Sequence, residues 1–204
     1  MKKAFLVLFI GAGAFAAYWF LIRKKESRPE APPPVPMALK KHSEKFNTSV
    51  DSIVAGYLAI KNAFVDADIA SVKAATTSFS TLLKSFPVEE LKKDTAAIIE
   101  TVKMNIESMQ ANAESLLKMP DITEMRKDFN SLTEAMYPSF FTSINYEGQK
   151  LFVEKCPMAF GDDMPASWIS NSAEIVNPYL GKNHPKYKGG MLDCGDVVDS
   201  IYAK

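Results

Sequence analysis

Residues 47–65, NTSVDSIVAGYLAIKNAFV, decide the fold. Val50, Ile53, Val54, Tyr57, Leu58, Ile60, Phe64 and Val65 recur at helical intervals, which gathers apolar side chains on one stripe of an α-helix. Thr48-x-x-Asp51 reads as the start signal, and Asp66-Ala67-Asp68 breaks the stripe. Asp68 is placed to cap a second helix, with Ile69, Val72, Thr76, Phe79, Leu83 and Phe86 inward and Pro87 ending it. A third helix over 90–117 carries Leu91, Ile98, Val102, Met109, Ala113 and Leu116. Asp121-x-x-Glu124 opens a fourth as a capping pair. Met125, Phe129, Leu132, Met136 and Phe140 face inward on it, and Pro138 kinks or shortens its last turn. Gly56 is the one glycine between 47 and 145. Four amphipathic helices with short connections imply an all-α domain over 47–204. The expected architecture is an antiparallel four-helix bundle followed by an irregular, Cys/Met-containing C-terminal loop. Met104, Met109, Met125 and Met136 read as core filler. His42, beside Lys40 and Lys41, reads as part of a solvated basic turn.

Upstream, residues 26–46 form a linker. Pro29, Pro32, Pro33, Pro34 and Pro36 favour an extended spacer without a core of its own. Residues 1–25 read as a membrane anchor. Lys2 and Lys3 precede an uncharged run over 4–22 that Arg23-Lys24-Lys25 closes. About 19 residues make a helix of about 28 Å, close to the hydrocarbon thickness of a bilayer. Gly11-Ala12-Gly13-Ala14-Phe15-Ala16 superficially fits a nucleotide fingerprint, but it follows no strand and sits inside the apolar block. Ala-x-Ala spacings in the run suit a signal peptidase. The run nevertheless continues through Tyr18-Trp19-Phe20-Leu21-Ile22 to a basic stop, which fits an uncleaved anchor. A short N-terminal tail before a long domain is the signal-anchor arrangement, so the domain is expected outside.

Lys+Arg and Asp+Glu number 24 each, and the formal net charge is zero. Nucleic acid is therefore not an expected partner. Two histidines, far apart in the chain, offer no acid–base or nucleophile constellation, and an enzyme is not expected.

Both cysteines fall in residues 156–195, CPMAFGDDMPASWISNSAEIVNPYLGKNHPKYKGGMLDCG. Gly, Pro, Asn and Asp are dense here, which reads as loop and turn. Leu151-Phe152-Val153 is a candidate strand delivering Cys156, and Val197, Val198 and Ile201 read as a final short helix. Cys156-Pro157-Met158 and Met191-Leu192-Asp193-Cys194 put a thioether beside each thiol. Three readings stand side by side. Cys156, Met158, Met191 and Cys194, with His184 as an optional further ligand, form a soft donor set for Cu(I) or Ag(I). Alternatively, Cys156 and Cys194 form a disulfide that staples the loop. In the third reading the sulfurs are reduced, buried and inert.

Several motifs occur in order: Cys156-Pro157-Met158-Ala159, Ala166-Ser167-Trp168-Ile169-Ser170, Glu174-Ile175-x-Asn177-Pro178-Tyr179-x-Gly181 and Met191-Leu192-x-Cys194-Gly195. Upstream lie Tyr57-Leu58-x-Ile60-Lys61-Asn62-Ala63-Phe64-Val65 and Asp121-Ile122-x-x-Met125-Arg126-x-x-Phe129. Together they resemble a bacterial helical domain of unknown function. That domain stands alone in envelope proteins, notably of Bacteroidetes, and ends some copper/silver efflux adaptor proteins. The resemblance implies heavy-metal handling in the periplasm, with no catalytic residues to transfer. The expected protein is a single-pass inner-membrane protein whose periplasmic domain binds Cu(I) or Ag(I) for metal efflux components. The alternative is a non-catalytic structural or protein-interaction domain with a Cys156–Cys194 disulfide and no metal. The chain departs from the family in two places. Residues 182–190 are longer than the usual turn, and 100–110 contains no histidine, offering Met104 and Met109 instead.

Overall fold

The computed structural model describes residues 41–202. The expected anchor over 1–25, and the linker up to residue 40, lie outside the described residues. Among the described residues no helix is long and apolar enough to cross a membrane.

Helix α1, Glu44–Asp66, starts ahead of the expected Thr48 signal. Its cap is Ser43, whose hydroxyl accepts from the Phe46 amide (3.1 Å). The Ser43 amide and hydroxyl both donate to the Glu90 carboxylate at 2.6 Å, which ties the helix start to a later turn. Thr48 instead donates back to the Glu44 carbonyl, as a mid-helix threonine does. Ala67, in the left-handed region at φ 55°, ends α1. Asp68 then caps α2, Ile69–Lys84, by accepting from the Ala70 and Ser71 amides. The expected third helix is broken in two. Val88–Lys93 is a 3-10 turn, and α3, Ala96–Lys118, begins after Thr95, whose hydroxyl accepts from the Ile98 amide. Leu91 and Ile98 are both buried, so the apolar stripe runs across a break that the periodicity conceals. Asp121 caps α4, Ile122–Met136, and a short α5, Ser139–Ser143, follows Pro138.

The four long helices pack in chain order, α1 on α2, α2 on α3 and α3 on α4. Phe129 of α4 closes the core against Tyr57 and Phe64 of α1, with ring centroids 5.2 and 4.9 Å apart. Met109, Met125 and Met136 are buried as core, but Met104 is 61% exposed. His42 is not solvated: it is 8% exposed and stacks on Phe46 at 4.3 Å. An aromatic ring on the next turn shields it from water despite its basic neighbours.

The all-α expectation fails in the C-terminal part, which carries a three-stranded antiparallel sheet ordered β2-β1-β3. The strands are β1, Leu151–Cys156, β2, Ala166–Ser170, and β3, Asp196–Ile201. They are too short to display a period of two, and glycine- and proline-rich turns separate them. Val197, Val198 and Ile201 mimic helical spacing, yet they belong to β3, where both valines are exposed. Their β-branched side chains favour the strand.

Two helical side chains cover the outer edge of β2. The Tyr57 hydroxyl accepts from the Ile169 amide (3.1 Å), and Asn130 Oδ1 accepts from the Ser167 amide (3.2 Å). Backbone donors that a neighbouring strand would otherwise take are thus satisfied by α1 and α4.

Candidate functional site

The sheet and the turns around it bring the two cysteines together. Cys156 ends β1 opposite Ala166 and is buried. Cys194 lies in a turn before β3, its amide donating to the Met191 carbonyl (3.1 Å). The two form a disulfide with their Cα atoms 5.7 Å apart, within the usual range for a bridged pair. There is no free cysteine. Gly195, at φ 140°, passes so close to Trp168 and the Lys155 carbonyl that a side chain there would collide.

Asn177 holds the turn that carries Cys194. Its Oδ1 accepts from the amides of Tyr179 (2.8 Å) and Leu180 (2.9 Å). Its Nδ2 donates to the Cys194 carbonyl (2.7 Å), and its own amide donates to Leu192 (2.8 Å). The following residues are anchored in turn. Arg126 Nε donates to the Pro178 carbonyl (3.2 Å), and the Tyr179 hydroxyl donates to the Ser167 carbonyl (2.6 Å). The Lys182 amide donates to Val65 at the end of α1 (2.8 Å), and its ammonium pairs with Asp66.

Met158 and Met191 are half-buried and pack against the hydrophobic core, as does Cys194. Each methionine carbonyl closes a turn: Met158 accepts from Gly161, and Met191 from Cys194. His184 is committed elsewhere. Its Nδ1 accepts from the amides of Lys186 (3.2 Å) and Tyr187 (3.3 Å), and its ring stacks on Tyr187 at 5.0 Å. Burial, and then the charges of Arg126 and Lys186, hold its imidazole below the ordinary histidine range. Among the described residues no group of three or more His, Cys, Asp or Glu is placed to hold a metal ion. Joined in a disulfide, Cys156 and Cys194 have no thiolate for Cu(I); only the reduced pair fits that ion.

Sequence reasoning passed over a buried charged pair under the sheet. Glu154 of β1 is fully buried, faces Lys61 of α1, and its carboxylate oxygens meet no hydrogen-bond donor. Burial pushes its carboxyl up to about 7. The Lys61 charge, followed by weaker contacts from Trp168 and Ser170, opposes that rise. Lys61 is 5% exposed, and burial lowers its ammonium. The available signal was a glutamate between Phe152 and Cys156 at strand spacing, where one face carries apolar neighbours on either side. Asn177 was legible only as a turn residue, because its clamp on Cys194 spans 17 residues of chain.

Fold and site together describe a helical domain with a small sheet closed by one disulfide. Residues 53–146 match the model of a family described as protein of unknown function, DUF3347. The matched span runs from α1 to Tyr146 and stops before β1, so the sheet and both cysteines lie beyond it. No curated protein and no solved structure matches the chain.

Proposed function

We propose that the chain is a non-catalytic, membrane-anchored periplasmic domain, stapled by the Cys156–Cys194 disulfide and serving as a structural or protein-interaction module. The observation that supports it is the pairing of the two cysteines. An extracytoplasmic location makes such a bond chemically favourable. The test is a thiol count on unfolded protein isolated from the envelope without reductant. Zero free thiols, with no metal in the folded protein, is the expected outcome; two free thiols would overturn it.

A second reading concerns the reduced form. Once the bond opens, Cys156 and Cys194 supply thiolates beside the thioethers of Met158 and Met191, a set suited to Cu(I) or Ag(I) for delivery to metal efflux components. What favours it is that both methionines are half-buried in the turns flanking the cysteines. Affinity should fall in acid, because each thiol must lose its proton to bind. The reduced protein should compete with a Cu(I) chelator, and Cys156→Ser with Cys194→Ser should abolish that competition. Unchanged competition in the double variant would sink this reading.

A further inference from the structure

The two cysteines are held in different ways. Cys156 is fixed by the ladder between β1 and β2. Cys194 lies outside every strand, and Asn177 grips its turn by two bonds, Nδ2 to the Cys194 carbonyl and its own amide to the Leu192 carbonyl. Asn177 is 0% exposed, and its side-chain oxygen, side-chain nitrogen and backbone amide are all engaged. Its own segment is tied to α4 through Pro178 and to β2 through Tyr179. A rigid frame therefore runs from the helices, through Asn177, to one sulfur, while the sheet carries the other.

We propose that Asn177 is the positioning residue for the sulfur pair, holding Cys194 against Cys156 before the bond forms and so setting how strongly the pair favours the disulfide. The proposal rests on the disulfide reading above. Two thiols 38 residues apart react at an effective concentration fixed by how far the loop is already ordered. In glutathione buffer the exchange balances simply. The two protein thiols give up two electrons and two protons, one S–S bond forms, and one glutathione disulfide becomes two glutathione thiols.

Asn177→Asp separates the two halves of the clamp. A carboxylate still accepts from the Tyr179 and Leu180 amides, but it cannot donate to the Cys194 carbonyl. The experiment equilibrates full-length protein with glutathione buffers and reads the fraction oxidised. Asn177→Asp should lower the equilibrium constant about tenfold, the effect of depriving a half-buried carbonyl of its donor. Thr95→Ala, which removes the hydroxyl that caps α3 and so weakens the fold away from the sheet, should stay within about twofold of the unmodified protein. An Asn177→Asp value within that same range would overturn the proposal.

A second measurement needs no variant. In reduced protein the Asn177 side-chain amide protons should remain protected from exchange, since the grip precedes the bond. Exchange at the rate of a free amide, within an otherwise protected domain, would also overturn it. Protein that stays reduced at every glutathione ratio would instead overturn the disulfide reading itself, and this proposal with it.

Discussion

At the scale of single residues, burial of Glu154 contributes a pH dependence to the stability of the domain. Its folded carboxyl is raised to about 7 from an ordinary 4.5, so the folded chain holds that proton more tightly than the unfolded one. The resulting stability is fully present below 4.5 and is lost as pH rises through about 7. Urea midpoints should therefore climb as pH falls through this window. Glu154→Gln, which is neutral at every pH, should flatten that component and be the more stable protein at about pH 8. His184 works in the opposite sense, because an imidazole held low opposes protonation of the folded chain. The decisive comparison is thus variant against unmodified protein at each pH, and identical pH profiles would refute the role given to Glu154. The strand spacing with Phe152 and Cys156 puts this residue on an apolar face but does not name its partner. That partner becomes visible only when β1 is laid against α1, which puts Lys61 opposite Glu154.

At the scale of elements, the helices and the strand that delivers Cys156 were legible, whereas the other two strands and their pairing into a sheet were not. Asp68 and Asp121 declare their helix starts because each side chain reaches amides two and three residues ahead, a purely local signal. Ser43 sends the same local signal to Phe46 but was passed over for Thr48-x-x-Asp51, which stands nearer the apolar stripe; its tie to Glu90, 47 residues away, leaves no local mark. The strands take their identity from partners far along the chain, such as Phe152 with Ser170 and with Ser200. No local period records such pairings. The join between the two layers gives a direct test. Tyr57 stands on α1, shares a hydrogen bond with Thr133 of α4 (2.7 Å) and accepts from Ile169 of β2. Tyr57→Phe leaves the Ile169 amide buried without an acceptor and should cost about 1–3 kcal/mol in urea unfolding. Gly181→Ala tests the other join. A side chain there runs into the Val65 carbonyl, and the loss should be about 1–3 kcal/mol. In that variant, residues 182–190 should also become more readily cleaved by protease. A change under about 0.5 kcal/mol in either variant would show the corresponding join to be dispensable.

At the scale of the whole molecule, one covalent link ties the end of β1 to the approach to β3 across 38 residues. Closing a loop of that length restricts the unfolded chain and should contribute about 3–4 kcal/mol. Replacing both cysteines by serine should lower the urea midpoint accordingly, and adding reductant should then change the variant little. Equal midpoints for the variant and the oxidised parent would count against this account. The same link has a consequence for survival among proteases. Residues 157–193 form the interior of a sulfur-closed ring that contains β2 and the exposed lysines at 182, 186 and 188. A single cut inside that ring leaves both fragments attached, and β3 remains joined to the helices through sulfur. Such a nicked chain keeps its full mass until it meets a reductant, so damage at this surface stays silent in an oxidising compartment and is revealed only on transfer to a reducing one.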